Sequence, residues 1–164
     1  MEQIHNIPPL YNEKSRVLIL GSFPSVKSRE QAFFYGHPQN RFWRVMANIL
    51  NEKVPQTTEE KRKIILKNHL ALWDVIASCD IEGSADSSIK NVLPNDIGRI
   101  IDKSNIKYIF TNGRTAEKYY IRYTQPVLGI KAVCLPSTSP ANAGWSFERL
   151  CKEWGSALQP LFLR

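Results

Sequence analysis

The chain has 164 residues, 43% of them hydrophobic and 23% charged, which suits one globular domain with a real core and excludes a disordered or fibrous protein. No stretch reaches the ~18 apolar residues of a membrane helix, and residues 1–15 lack the basic-then-apolar order of a secretory leader, so a cytoplasmic protein is expected. The formal charge of +7 fits a polyanionic partner without requiring one, and three scattered cysteines (Cys79, Cys134, Cys151) exclude a disulfide framework or a four-cysteine iron–sulfur site.

Residues 1–16 read as an N-terminal arm bent at Pro8-Pro9. Val17-Leu-Ile-Leu20 is a short run of apolar residues and predicts a buried strand ending at Gly21. Gly21-Ser-Phe-Pro-Ser25 breaks it with turn residues. Three aromatics follow (Phe33, Phe34, Tyr35), then a Gly36-His37-Pro38 break and Asn40. A helix is expected from Asn40 to Leu50, with Phe42, Trp43, Ala47 and Leu50 on its apolar side and Asn40 placed to cap it. Thr57 with Glu60 forms a capping-box pattern and starts a helix that runs to Asn68.

A second strand is expected over Ala71–Ala77, then a polar loop over Ser78–Asn91 and a helix from Pro94-Asn95-Asp96 to Lys103. A third strand covers Lys107–Thr111, and Asn112-Gly113-Arg114 is a tight exit into a helix ending near Tyr123. Pro126 and Gly129 mark a loop, Lys131–Leu135 a fourth strand, Pro136–Gly144 a turn-rich loop, and Ser146–Leu158 the last helix. Apolar strands alternating with amphipathic helices predict a single α/β domain, a three-layer α/β/α sandwich around a four-stranded parallel sheet. Ligands bind such sheets beyond the carboxyl ends of the strands, so the polar loops after strands one, two and four should converge on one crevice.

Three blocks carry chemistry: GSFPS with YGHPQNRFW (Gly21–Ser25, Tyr35–Trp43), LWDVIASCD with EGS (Leu72–Asp80, Glu82–Ser84), and LPSTSPAN (Leu135–Asn142). In this order they resemble the uracil-DNA glycosylase superfamily over about residues 14–160, most closely its hypoxanthine-DNA (deoxyinosine) glycosylase branch. The resemblance implies the same sandwich fold and DNA containing deaminated bases as partner. The chain offers no clustered His, Cys or carboxylate ligands, so no metal or other cofactor is expected, and a monomer is expected. It implies hydrolysis of the N-glycosidic bond of a flipped base, with Asn40 matching the catalytic asparagine that orients water through its carbonyl. Tyr35 matches the aromatic on which the base stacks. Asp74 matches the position at which uracil-specific relatives read the base edge with an asparagine. A carboxylate only accepts hydrogen bonds and so suits the N1–H of hypoxanthine. Gly21, Ser22, Phe23 and Ser137 fall at substrate-contacting positions, and Ser25, Ser139 and Asn142 at positions that grip the DNA backbone.

The chain departs from the wider superfamily at three places. Phe23 stands where many relatives have an Asp or Asn, Ser137 where many have a His that stabilises the leaving base, and Ala141 where a larger residue wedges into the vacated stack, leaving Trp145 as the candidate wedge. Lys27, Arg29 and Arg41 would add positive charge at the rim. Every one of these residues also has an ordinary structural use: Asn40 as a helix cap, Tyr35 as core, Ser22 and Ser25 as turn residues, Asp74 as a partner at a strand end. Three other readings stand beside the first: a uracil or mismatch-specific glycosylase, a non-catalytic DNA- or nucleotide-binding module, and a flavodoxin-like domain, which lacks support because no Gly-rich phosphate loop follows strand one.

Overall fold

The computed structural model describes residues 2–162. In chain order the strands are β1 (Glu2–Ile4), β2 (Val17–Gly21), β3 (Leu70–Asp74), β4 (Ile76–Asp80), β5 (Lys90–Pro94), β6 (Tyr108–Asn112) and β7 (Ala132–Leu135). The α-helices are α1 (Val26–Gln31), α2 (Phe42–Leu50), α3 (Thr58–Lys67), α4 (Ile97–Asp102), α5 (Arg114–Tyr119), α6 (Gln125–Leu128) and α7 (Phe147–Phe162).

Every residue of β2 and β3 is buried, as required of strands covered on both faces. The four parallel strands run in the order β3-β2-β6-β7, with Gly21 opposite Asp74 and Asn112 opposite Leu135 at their carboxyl ends. This is the expected four-stranded parallel sheet with flanking helices. The order reverses at β2: the chain moves outward to β3, then crosses back to β6. The crevice therefore opens above the junction of β2 and β6. α2 and α7 pack together through Phe42 and Trp154, whose rings meet edge to face at 5.9 Å, and Ile64 and Ile65 of α3 are buried as well. Thr57 caps α3 by accepting from the Glu60 N–H, and the Glu60 carboxylate reaches back to the N–H of Gln56 rather than to that of Thr57. Among the described residues no helix is long and apolar enough to cross a membrane.

The elements differ from expectation in four places. The strand expected over Ala71–Ala77 divides at Val75, because the N–H groups of Val75 and Ile76 turn to the carbonyls of Gly21 and Ser22. Beyond the division, β4 joins a separate antiparallel sheet, β1-β4-β5, so part of the expected polar loop is strand and the N-terminal arm begins as a paired strand, Glu2 opposite Asp80. Ser25 caps α1, a helix too short to show periodicity. The helix after β6 does not stop at Tyr123: a π-helical turn over Tyr120–Thr124 carries it into α6, where Pro126 sits in the first turn and costs no hydrogen bond. Gly129, at φ +70°, then ends it.

Candidate active site

The crevice above β2 and β6 extends over the neighbouring strand β3, and its floor is where β2 and β3 end side by side. A Cβ placed on Gly21 would lie 2.3 Å from Asp74 Oδ1, so only glycine lets that oxygen approach the backbone there; the Tyr35 hydroxyl, at 3.5 Å from the same point, would be in ordinary contact. Asp74 is 4% exposed. Its Oδ2 accepts from His5 Nε2 at 2.7 Å, and the His5 side chain is itself 2% exposed. The N–H of Ile7 donates to His5 Nδ1 at 3.2 Å, so the ring proton belongs on Nε2 and points at the carboxylate. Phe23 and Trp73 hold the imidazole between their rings, with edge contacts at 6.1 and 6.4 Å. Phe23 thus closes the floor as an apolar wall instead of holding water. His5 was not among the expected site residues. A lone histidine in a polar arm shows no spacing or motif, and only the pairing of β1 with β4 brings it here.

Tyr35 adopts a left-handed backbone, φ +53°, and its ring stacks on Phe42 with centroids 4.0 Å apart. One face is therefore committed to the core. The hydroxyl is buried and has no hydrogen-bond partner among the described residues. Burial first, and then the charge of Asp74, hold this phenol well above its usual pKa, so it remains a donor. The Asn112 amide acts in the opposite direction, but no aligned hydrogen bond to the hydroxyl forms.

Asn40, Thr138 and Asn112 join three loops. Asn40 Oδ1 accepts from the Phe42 N–H and from the Thr138 hydroxyl, both at 2.9 Å. The Thr138 hydroxyl in turn accepts from Asn112 Nδ2, and the Thr138 N–H donates to Asn112 Oδ1, both at 3.0 Å. Thr138 is fully buried. Asn40 is not the cap of α2: the helix begins at Phe42 with Arg41 at the cap position, and the Asn40 bond to the Phe42 N–H is a local turn just before it. Both lone-pair directions of the Asn40 carbonyl are used, so the amide NH2 is the end left to meet water or substrate. Neither Asn112, which ends β6, nor Thr138, lying between two serines in a Ser/Thr-rich loop, stood out in the sequence.

The loop after β7 is shaped from within. Ser137 Oγ accepts from the Ser139 N–H, Ser139 Oγ from the Ala141 N–H, and Asn142 Nδ2 donates to the Ser137 carbonyl. Arg41 clasps it, donating to the carbonyls of Ser139 and Asn142 at 3.1 Å and to that of Trp145. Arg41 is therefore a structural tie rather than a rim charge. Outside the loop lies a groove of about 650 Å³, lined by Gly113, Arg114, Ser137, Ser139, Asn142 and Trp145 among others. The Arg149 guanidinium lies 4.0 Å over the Trp145 ring and fixes it at this rim. Of the remaining expected residues, Ser22 is half-buried at the crevice, Ser25 is engaged as the α1 cap, Arg29 is tied to the Gly83 carbonyl and covers Phe23, and Lys27 pairs with Glu30 on the surface. The structure thus brings Gly21, Tyr35 and Asp74 together, ties Asn40 through Thr138 to Asn112 at the end of β6, and sets Ser137, Ser139 and Asn142 along the adjoining rim.

The clasp carries a prediction. Arg41→Ala removes the donors of three backbone carbonyls. The melting temperature should fall, in keeping with a loss of ~2–3 kcal/mol. Hydrogen exchange should accelerate at the amides of residues 137–145 before it does so in β2. Unchanged exchange in that loop would mean that the clasp does not hold it.

The chain matches the family model described as the uracil DNA glycosylase superfamily over residues 8–159. It is 36% identical over 152 residues to a hypoxanthine DNA glycosylase of Methanosarcina acetivorans, covering 90% of this chain and 92% of that protein. It is 34% identical over 140 residues to a hypoxanthine DNA glycosylase of Methanosarcina barkeri, covering 82% and 85%. The fold is similar, with a TM-score of 0.83 and 32% identity, to the solution NMR structure of an M. acetivorans protein named as a candidate uracil DNA glycosylase, across 98% of this chain and 99% of that one.

Proposed function

The chain belongs to the uracil DNA glycosylase superfamily, and from that premise we propose that it removes hypoxanthine from deoxyinosine in DNA by hydrolysing the N-glycosidic bond. The observation that carries this reading is the acceptor at the crevice floor. Asp74 Oδ2 is committed to His5, and Oδ1 stands over Gly21 beside the Tyr35 ring. A carboxylate oxygen accepts from the N1–H of hypoxanthine and opposes the lone pair at N1 of adenine, so the deaminated base is selected over the normal one. The two relatives named as hypoxanthine DNA glycosylases support the same choice.

In this reading the flipped base lies against the face of Tyr35 opposite Phe42 with its edge toward Asp74. The sugar develops oxocarbenium character as the bond to the base breaks. Asn40, its carbonyl fixed by Phe42 and Thr138, holds the attacking water by its amide NH2. The electron pair of the broken bond leaves with the base, the water oxygen bonds to C1′, and the proton that water gives up ends on the departing base; with the sugar already cationic, a positioned water suffices and no strong base is needed. The rim formed by Ser137, Ser139 and Asn142 takes the DNA backbone through its N–H groups and hydroxyls.

Uracil is the competing substrate, because its N3–H offers Asp74 the same donor. Base release from otherwise identical duplexes containing hypoxanthine, uracil or xanthine separates the two. Release of hypoxanthine ahead of uracil is expected, and release of uracil alone would refute the assignment. With a net charge of +7, affinity for an inosine duplex should fall steeply between low and physiological salt as phosphate contacts are lost. Binding indifferent to salt would argue against DNA as the partner.

A further inference from the structure

The N-terminal arm serves the crevice through one side chain, that of His5 just after β1. β1 is short, and its pairing with β4 places His5 beside Asp74; the His5 N–H is anchored to the Ala77 carbonyl at 2.7 Å. The imidazole is held on every side: Nδ1 accepts from Ile7, Nε2 donates to Asp74 Oδ2, and Phe23 and Trp73 flank the ring. Phe23, whose position in many relatives carries a polar residue, here packs the histidine.

We propose that His5 is a positioning residue for base selection: its Nε2–H occupies Asp74 Oδ2 and so presents Oδ1 to the base as an acceptor. This rests on the reading of Asp74 given above. Its chemistry is a matter of which atom faces the base. With His5 donating to Oδ2, the carboxylate is fixed about its own bond and Oδ1 is held at the base edge; without that donor it turns freely and holds neither oxygen there. An acceptor held at that point takes the N1–H of hypoxanthine and opposes the lone pair of an undamaged adenine. The bond from Ile7 to Nδ1 keeps the ring from taking the other tautomer, in which Nε2 would accept instead of donate. The class of ligand is thus a base carrying a ring N–H beside a carbonyl.

The test is a ratio measured within each variant of the full chain. Single-turnover excision is compared for hypoxanthine against 6-methoxypurine, which lacks the N1–H, and for uracil against 3-methyluracil, which lacks the N3–H. Wild-type protein should favour the N–H base of a pair by a factor on the order of 100 or more. His5→Leu should bring that ratio to within about tenfold, and His5→Gln, which returns an N–H donor at similar reach, should restore most of it. His5→Phe, filling the slot between Phe23 and Trp73, replaces His5→Leu if the latter does not fold. Equal losses on both bases of a pair, with the ratio kept, would overturn the proposal and leave His5 a purely structural residue. A wild type that excises uracil and not hypoxanthine would instead refute the proposed substrate, and the His5 inference would be decided on the uracil pair.

Discussion

Asn40→Ala is expected to lower single-turnover excision of hypoxanthine by a factor on the order of 100 or more, matching the loss of ~3 kcal/mol of transition-state stabilisation. DNA affinity should change little, because the substitution leaves Tyr35 and the serine rim intact. The reaction should be simple hydrolysis that leaves an abasic site in an unbroken strand, and borohydride should trap no covalent adduct. The same side chain also supports the fold. It accepts from the Phe42 N–H at the start of α2 and from the buried Thr138 hydroxyl, so Asn40→Ala removes a turn bond and orphans a buried donor. A fall in melting temperature is therefore expected, equivalent to ~1 kcal/mol for the turn and a further ~1–3 kcal/mol for the hydroxyl. Loss of activity and loss of stability separate in Asn40→Ser. Serine still bonds the N–H of residue 42 but has no NH2 to hold water. It should recover part of the melting temperature and none of the rate. A folded Asn40→Ser protein that works at near wild-type speed would show that Asn40 only supports the start of α2.

Which features are legible in the sequence follows from how local their causes are. β2 is read from five adjacent residues, all of them buried. The Thr57 cap lies within one turn of its own partner, Glu60. Asp74 falls inside the strand expected over Ala71–Ala77; it ends β3 only because the N–H groups of Val75 and Ile76 turn to Gly21 and Ser22, partners more than fifty residues away. His5 could not be placed, because its role depends on a partner 69 residues away and on a strand too short to show alternation. Arg41 has the same cause of misreading: its three carbonyl partners lie about a hundred residues further on, and in sequence it is only another surface-type cation. Thr138 and Asn112 join the site by a network across three loops, and no spacing within any one loop encodes it. The continuation of α5 through a π-turn runs against the local signal of Pro126, which reads as a break unless the first turn of a new segment absorbs it.

Asp74→Asn should be nearly as damaging to hypoxanthine excision as Asn40→Ala, and for a reason the His5 geometry supplies. The substitution is close to isosteric and retains one acceptor and one donor group. Which of them faces the base is decided by His5, because its Nε2–H requires an acceptor and Ile7 fixes that tautomer. The amide oxygen must therefore take the place of Oδ2, and the NH2 the place of Oδ1 over Gly21. There it confronts the N1–H of hypoxanthine donor to donor. Losing one hydrogen bond and gaining a desolvated clash should cost ~3 kcal/mol, a factor on the order of 100 in rate. The melting temperature should hold, because His5 keeps its partner. Asp74→Ala should lose excision as well but also melt lower, since the buried Nε2–H is then orphaned. Non-specific DNA affinity should survive in both, because the phosphate contacts lie on the rim and not on the floor. The same NH2 complements N1 of adenine, so in Asp74→Asn the binding preference between duplexes with an extrahelical hypoxanthine and an extrahelical adenine should reverse. Excision of hypoxanthine by Asp74→Asn at near wild-type rate, or a fall in non-specific binding equal to the fall in excision, would remove Asp74 from base reading and return it to a structural partner at the end of β3.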